Sequence, residues 1–194
     1  MVSVRRKRDV CMNWKSIVLV ITALITIFYT GMLVVQNRIL RESPDTMFLE
    51  LAPVDPLSLF QGQYMTVEFS IERVRHELEA DFDSLDTTVW FAVVVLDGDG
   101  VGKVSELLKG NPSPQERRVL ADKYEGRNIL FLNVDLKRVA VNKVSIVMKQ
   151  KEFLFQENQQ RKYAGARYGY FRVSYDGRCS LEDLAGESYE LLSR

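Results

Sequence analysis

The sequence has few of the residues that build redox and metal centres. Its 194 residues include two cysteines, Cys11 and Cys179, and one histidine, His76. Two cysteines at this spacing form neither a CxxC motif nor a disulfide framework, and a single histidine excludes a histidine-rich zinc site. We therefore predict that the protein binds no metal ion and no cofactor.

Basic charge is also scarce outside the N-terminal segment. Residues 1–35 hold five basic residues and one acid, whereas residues 36–194 hold 21 basic and 25 acidic residues, a net charge of −4. Proteins that bind nucleic acid need a basic surface that displaces counterions from the phosphates. The acidic body therefore excludes general nucleic-acid binding.

One long hydrophobic run is present. Residues 16–35, SIVLVITALITIFYTGMLVV, carry no charge, and a helix of that length spans about 30 Å, the hydrocarbon thickness of a bilayer. A buried soluble helix is the alternative, but the run has no polar stripe and would need protein on every side. The run is longer than the core of a signal peptide, and no small-residue cleavage site follows it. We therefore predict a retained transmembrane helix that contacts the lipid bilayer.

The charges on either side of this helix predict its orientation. Five basic residues precede it, whereas Arg38 and Arg41 follow it beside Glu42. Because basic flanks remain in the cytoplasm, we expect a cytoplasmic N-terminus and an extracytoplasmic body.

The body is predicted to be mainly β, a β-rich α+β fold. Residues 63–71 alternate apolar and polar, which is typical of a strand with one buried face. Residues 88–96 are continuously apolar and β-branched, which indicates a strand buried on both faces. The apolar face of the first strand holds Met65, Val67, Phe69 and Ile71. All the predicted strands are 47–53, 63–71, 88–96, 128–136, 143–149, 168–175 and 178–184.

Two helices are predicted in the body. In SPQERRVLADKYEG, Ser113 is an N-cap, Pro114 takes the first helical position, Glu116 completes a capping box and Gly126 ends the helix. Residues 70–81 hold a weaker pattern, whose alternative is a charged excursion between strands. Its three apolar residues on one helical face are Ile71, Val74 and Leu78.

The order of these patterns predicts two related halves. Residues 89–107 and 168–184 both comprise a strand, a turn containing Asp-Gly and a second strand that ends in an acid and leucine. Neither half alone has enough strands for a stable core. The predicted organisation is a cytoplasmic segment (1–15), a transmembrane helix (16–35), a linker (36–45), half one (46–110), a helical connection (111–126), half two (127–186) and a tail (187–194).

The stretch GQYMTVEF, residues 62–69, resembles the motif of the bacterial GDYXXLXY protein family, Gly-Asp-Tyr-x-x-Leu-x-Tyr. Gly62 and Tyr64 match, whereas Gln63 replaces the aspartate, Val67 the leucine and Phe69 the second tyrosine. The preceding VDPLSLFQ and the later FLFQENQQ and RYGYFRVSYDGRCSLEDL are also similar to the family. The resemblance implies a small bacterial membrane-anchored protein of unassigned activity. Together with the orientation that the flanking charges predict, this places the anchor in the inner membrane and the body in the periplasm.

The motif residues favour a structural role over a ligand pocket. Gly can adopt a positive φ at a turn or bulge, Asp-Pro begins a loop, and the apolar positions of the strand face inward. The Asp-to-Gln change removes the only charge of the motif. The predicted motif and structural residues are Asp55, Pro56, Gly62, Tyr64, Val67 and Phe69.

Two catalytic or metal-binding patterns are incomplete. VLDGDGVGKVSE has EF-hand-like spacing, but Val95 stands at the first ligand position and strands flank the segment, which favours an acidic hairpin. A Ser/Lys hydrolase needs a serine beside a desolvated lysine, and no signal-peptidase motif is present. The residues considered for that pair are Ser43, Ser58, Lys143 and Lys149.

The polar segment 157–169 is the predicted partner-binding loop, and a solvated connection between strands is the alternative. Its candidate contact residues are Arg161, Lys162, Tyr163, Arg167 and Tyr168. The sequence therefore predicts an accessory module that binds another membrane or envelope protein and is not an enzyme. The alternative is a small-ligand-binding or Ser/Lys hydrolase-like domain.

Overall fold

A computed structural model describes residues 14–52, 60–61, 64–77, 89–140, 142–155 and 159–193. The chain divides into two compact units, Met1–Ile39 and Leu40–Arg194. The helices are α1 (Trp14–Arg41), α2 (Ser70–Arg73), α3 (Pro114–Lys123) and α4 (Gln160–Tyr163). The strands are β1 (Thr46–Glu50), β2 (Phe60–Gln61), β3 (Tyr64–Thr66), β4 (Arg75–Glu77), β5 (Trp90–Leu96), β6 (Gly102–Lys109), β7 (Ile129–Ala140), β8 (Lys143–Val147), β9 (Glu152–Leu154), β10 (Tyr168–Val173) and β11 (Cys179–Ala185).

The described residues of the N-terminal unit belong to the apolar helix α1. Its stretch Trp14–Gln36 is 23 residues long and exposes its side chains, so it is long and apolar enough to cross a membrane. The hydroxyls of Thr22, Thr26 and Thr30 donate to the carbonyls four residues earlier at 2.8–2.9 Å. These bonds satisfy polar groups that would otherwise be costly in hydrocarbon. The predicted helix over 16–35 is therefore confirmed as a candidate membrane span.

The second unit is built mostly from antiparallel strands, which confirms the predicted fold class. A five-stranded sheet has the order β4-β8-β7-β5-β6, and two three-stranded sheets have the orders β1-β10-β11 and β2-β3-β9. The inward faces of the five-stranded sheet and of the β1-β10-β11 sheet contribute most of the main core. The four apolar residues predicted to share a face, Met65, Val67, Phe69 and Ile71, are all buried in that core.

Strand β5 is buried on both faces, as its continuous apolar sequence predicts. Trp90, Ala92 and Val94 lie in the main core, whereas Phe91 and Val93 belong to a second cluster on the opposite face. Helix α3 covers that second face with Leu120. A strand that packs against both a core and a helix needs apolar residues at successive positions.

The predicted caps of α3 are confirmed. The Ser113 hydroxyl accepts the Glu116 amide at 3.3 Å, and the Glu116 carboxylate accepts the Ser113 amide at 2.7 Å. Hydrogen bonding from the backbone and side chain of Ser113 to the Glu116 carboxyl lowers its pKa, because it favours the charged form. Gly126 follows the helix with φ of 70°.

The helix predicted over 70–81 is largely wrong. Helix α2 ends at Arg73, and β4 then pairs antiparallel with β8. Ile71 is buried, but Val74 is 50% exposed, so the 3.6-residue pattern does not mark one packed face. Leu78 lies outside the described residues. Pairing with a distant strand supplies backbone hydrogen bonds that compete with a weak local helix preference.

Two hairpins, β5–β6 and β10–β11, have matching geometry. Each turn spans five residues, 97–101 and 174–178, and its fourth residue is a glycine of positive φ, Gly100 at 81° and Gly177 at 84°. Each hairpin also has one irregularity in register, after Val93 and after Tyr170. Val93 and Tyr170 therefore occupy equivalent positions.

The hairpins pair with strands from the other predicted half. Strand β7 pairs antiparallel with β5, and β1 pairs antiparallel with β10. Each of the two strands also bonds to the hairpin turn of its own half. The Phe48 amide donates to the Gly100 carbonyl at 2.9 Å, and the Asn133 amide donates to the Gly177 carbonyl at 2.8 Å. We propose that the halves 46–110 and 127–186 are related by exchange of these strands, and the matched pairings support this proposal. The two halves lie within one compact unit.

Candidate functional site

The outer faces of the two hairpins have different coverings. On the first hairpin, Phe91 and Val93 of β5 and Phe131 of β7 are at most 8% exposed. Leu120 of α3 packs on these three side chains, with Tyr124 beside it. This face is therefore a closed apolar cluster.

The equivalent face of the second hairpin is covered less completely. Tyr170 occupies the position of Val93, and its cross-strand partner is Phe48, as that of Val93 is Phe131. Tyr168 lies two residues before Tyr170 on the same face. Both tyrosines and Phe48 are only half-buried. Where the first hairpin has the buried cluster beneath α3, the second has partly exposed aromatic rings.

Tyr189, from a turn after β11, completes this surface. Its ring lies 4.8 Å from the Tyr168 ring and 5.4 Å from the Phe48 ring, centroid to centroid. The Phe48 ring lies 5.3 Å from that of Tyr170, and most of these pairs are tilted by about 45°. We call Phe48, Tyr168, Tyr170 and Tyr189 the aromatic face.

Negative charge lies beside the aromatic face. A hydrogen bond with Tyr168 and the nearby charges of Asp99 and Asp97 raise the pKa of the Tyr189 hydroxyl to about 12. Both aspartates belong to the exposed turn of the first hairpin, and Glu50 is exposed directly across from Tyr168. The surface thus combines the π-faces of aromatic rings with carboxylates, and both attract cations.

The carboxylate of Asp97 already has a structural role. Its Oδ1 accepts the Asp99 amide at 3.1 Å and the Val101 amide at 2.9 Å, and strands flank the turn. The interpretation of this segment as an acidic hairpin is therefore confirmed. Among the described residues, no group of three or more His, Cys, Asp or Glu side chains could hold a metal ion.

The β11 side of the same sheet is closed by the residues that follow it. The Leu192 amide donates to the Leu184 carbonyl at 2.8 Å, and the Ser193 amide donates to the buried Asp183 carboxylate at 3.2 Å. Residues 187–193, expected to be a tail, therefore pack on the sheet and position Tyr189. Asp183 occupies the position of Glu106 in the first hairpin.

A family comparison identifies the chain. The model of the GDYXXLXY protein family matches residues 25–184 of the 194. The chain belongs to the GDYXXLXY family. No curated protein and no solved structure matches it. The family has no assigned function, and the matched range includes every ring of the aromatic face except that of Tyr189.

Two motif residues of this GDYXXLXY protein are buried in the core. Val67 and Phe69 are 1% and 0% exposed, and the Phe69 ring packs edge-on against Phe171 with centroids 5.1 Å apart. Tyr64 lies in β3 and pairs with Gln61 and Leu154. Asp55, Pro56 and Gly62 lie outside the described residues, so their predicted roles stay predictions.

The predicted partner-binding loop is divided by the fold. Arg161, Lys162 and Arg167 are exposed, and the Lys162 ammonium donates to the Ser193 carbonyl at 3.0 Å. Tyr163 is only 5% exposed, and its ring packs against Phe153 with centroids 5.1 Å apart. Tyr163 is therefore a core residue and cannot serve as an exposed contact.

Tyr168 alone of the predicted loop residues lies in the aromatic face. Sequence reasoning missed Phe48, Tyr170 and Tyr189 as members. The available signal was alternation: Tyr168 and Tyr170 point away from the buried Phe171. Phe48 and Tyr189 join them only through pairing and packing between residues distant in sequence.

The residues considered for a Ser/Lys hydrolase have other partners. The buried Ser43 hydroxyl donates to the Val173 carbonyl. The Lys149 ammonium lies 2.8 Å from Asn133 Oδ1 and 3.3 Å from Asp135 Oδ1. Lys143 lies exposed at the start of β8, and Ser58 is outside the described residues. The described part of the chain therefore shows no activated serine at these positions.

A groove of about 630 Å³ lies between β6 and α3. Its ionisable lining residues are Lys109 and Glu116, and the latter is held by the Ser113 cap. Val119 is 67% exposed at its rim. This described lining contains no nucleophile paired with a base.

Cys179 is expected to resist thiol reagents in the folded protein. Its side chain is buried, and burial raises the pKa of the thiol to about 12. At pH 8 only about one molecule in ten thousand would carry a thiolate, the reactive form. In a Cys11→Ser background, a maleimide should label Cys179 only after denaturation. Rapid labelling of the folded protein would contradict the buried position.

Proposed function

We propose that the protein is a single-pass anchor of the bacterial inner membrane that presents a β-rich periplasmic interaction module. In this proposal α1 is retained as the anchor, the N-terminus is cytoplasmic, and the module binds another membrane or envelope protein. The positive charge before α1 and the acidic body support this orientation.

The single observation that carries the interaction role is the open aromatic face. Tyrosine and phenylalanine are enriched in the centres of protein interfaces, where they bury large areas at low entropic cost. The equivalent face of the first hairpin is closed by α3, so this type of surface packs well against another element. An aromatic surface of this kind lowers the solubility of a protein unless a partner covers it.

Position-specific photocrosslinking in intact membranes tests this function. A benzoylphenylalanine in place of Tyr170 should give an adduct of discrete mass with one membrane or envelope protein. The same group in place of Val119, which is exposed on α3, is the matched control and should give none. Equal yields at the two positions, or no adduct at Tyr170, would refute the proposed interaction at this face.

A further inference from the structure

The helix that covers the first hairpin shows what chemistry fits such a face. Leu120 of α3 packs into the apolar cluster. The Arg117 guanidinium lies over the Phe131 ring, 4.4 Å from its centroid. One turn from Leu120, the Lys123 ammonium pairs with the Glu106 carboxylate at 3.1 Å. A short helix with one leucine and two cations therefore satisfies both the rings and the carboxylate.

The aromatic face offers aromatic rings in equivalent places, whereas the acid equivalent to Glu106, Asp183, is buried and accepts the Ser193 amide. Phe48 occupies the position equivalent to that of Phe131, because Phe48 pairs with Tyr170 and Phe131 pairs with the equivalent Val93. Tyr168 and Tyr170 of the second hairpin occupy the positions equivalent to those of the buried Phe91 and Val93 of the first. The ring that corresponds to the one beneath Arg117 is therefore half-open to solvent.

The charges around the aromatic face complement a cation. Asp97, Asp99 and Glu50 border it on the first hairpin and on β1. Arg172 is the basic residue of β10 on the same face, and its Nη1 donates to the Ser43 carbonyl at 2.9 Å at the far end of the strand. The acidic border therefore favours a basic occupant over an acidic one.

We propose that the aromatic face binds a short basic helix of a partner protein, with an arginine guanidinium stacked on the Phe48 ring. This inference rests on the proposed interaction function and adds the chemistry of the partner. The arginine takes the place that Arg117 takes over Phe131, and an apolar side chain of the same helix packs on Tyr168 and Tyr170. Asp99 and Glu50 attract the basic flank.

A synthetic peptide that copies residues 111–126 is the probe. It is added to the detergent-solubilised full chain labelled with fluorotyrosine, with tyrosine signals assigned from single Tyr→Phe variants. We expect the signals of Tyr168, Tyr170 and Tyr189 to shift with a dissociation constant in the millimolar range or tighter. The signal of Tyr175, which contacts Arg117 in α3, should remain in place because the peptide does not displace α3.

Matched peptide and protein variants measure how much the basic residues contribute to binding. A peptide in which the residues corresponding to Arg117 and Lys123 are glutamine should bind about three- to tenfold more weakly. Phe48→Leu and Asp99→Asn proteins should weaken binding of the basic peptide by a similar factor, whereas Val139→Ala, at an exposed site on β7, should not. Each protein variant is first checked for an unchanged unfolding midpoint.

Three results would overturn the inference. They are no tyrosine shift at about 10 mM peptide, equal binding of the basic and the glutamine peptides, and shifts of the same tyrosines on raising the protein concentration alone. The last result would assign the face to a second copy of the chain. If Tyr170 crosslinks to a partner in membranes but the peptide causes no tyrosine shift, or both peptides bind equally, the proposed function is retained and the basic helix is rejected.

Discussion

Phe69→Ala is expected to lower the free energy of unfolding of the body by about 3–5 kcal/mol. Phe69 is fully buried, and its ring meets Phe171 edge-on. It also covers Gly169, since a Cβ at that glycine would lie 2.8 Å from the Phe69 ring. Truncation therefore removes apolar contacts on two sides and leaves a cavity between packed strands. Denaturant unfolding of the solubilised full chain, followed by the fluorescence of the buried Trp90, measures the loss.

Thr66→Ala is the matched control for this substitution. Thr66 lies in β3, three residues before Phe69, and its side chain is exposed. Its substitution should cost less than about 1 kcal/mol, since only strand preference changes. Similar losses for the two variants would contradict the conclusion that the motif acts through its inward apolar face.

Gly177→Ala is expected to destabilise the body by about 2–4 kcal/mol. Gly177 has a φ of 84°, which favours glycine, and an added Cβ would lie 2.5 Å from Phe91 Cε1, 3.0 Å from the Phe131 oxygen and 3.1 Å from the Asn133 nitrogen. Two of these contacts are with backbone atoms of β7, which cannot rotate away. The unfolding midpoint in denaturant, with the slope checked for constancy, reports the change.

Two glycines of the first hairpin separate the cost of a positive φ from the cost of the steric contact with β7. Gly100 has an equivalent φ of 81°, but the nearest atom to its added Cβ is 3.8 Å away on the Phe48 side chain, so Gly100→Ala should show the backbone cost alone, about 1–2 kcal/mol. Gly98 has neither a positive φ nor an atom within 4 Å, so Gly98→Ala should be nearly neutral. A Gly177→Ala variant no less stable than Gly100→Ala would show that the contact with β7 is looser than described.

Local patterns predicted the elements whose stabilising contacts are close in sequence. The cap of α3 depends on Ser113 and Glu116, three residues apart. The two hairpins depend on Asp-Gly turns between apolar runs. In both cases the residues that form the hydrogen bonds are neighbours, so composition and spacing suffice.

Elements that depend on distant partners were predicted poorly. The short β4 forms only because β8 lies beside it, and its own sequence suggested a helix. Tyr163 was expected in an exposed loop because its neighbours are polar, but it packs against Phe153 in the core. A single inward aromatic residue in a polar segment has no period from which its burial can be inferred.

The candidate site shows the same division. Alternation along β10 shows that Tyr168 and Tyr170 point away from the core, but it does not show what lies over them. That depends on the pairing of β1 with β10, more than 100 residues apart in the chain, and on the turn that positions Tyr189.

The sequence by itself determined the apolar helix, the family, the mainly β class and the inward face of the motif strand, because each depends on residue type and short-range period. The tertiary structure alone decided that equivalent faces of the two hairpins differ, one closed by α3 and the other open. The physical reason is that burial of a sheet face depends on which distant segment packs against it. No local pattern in the strands records whether such a segment is present.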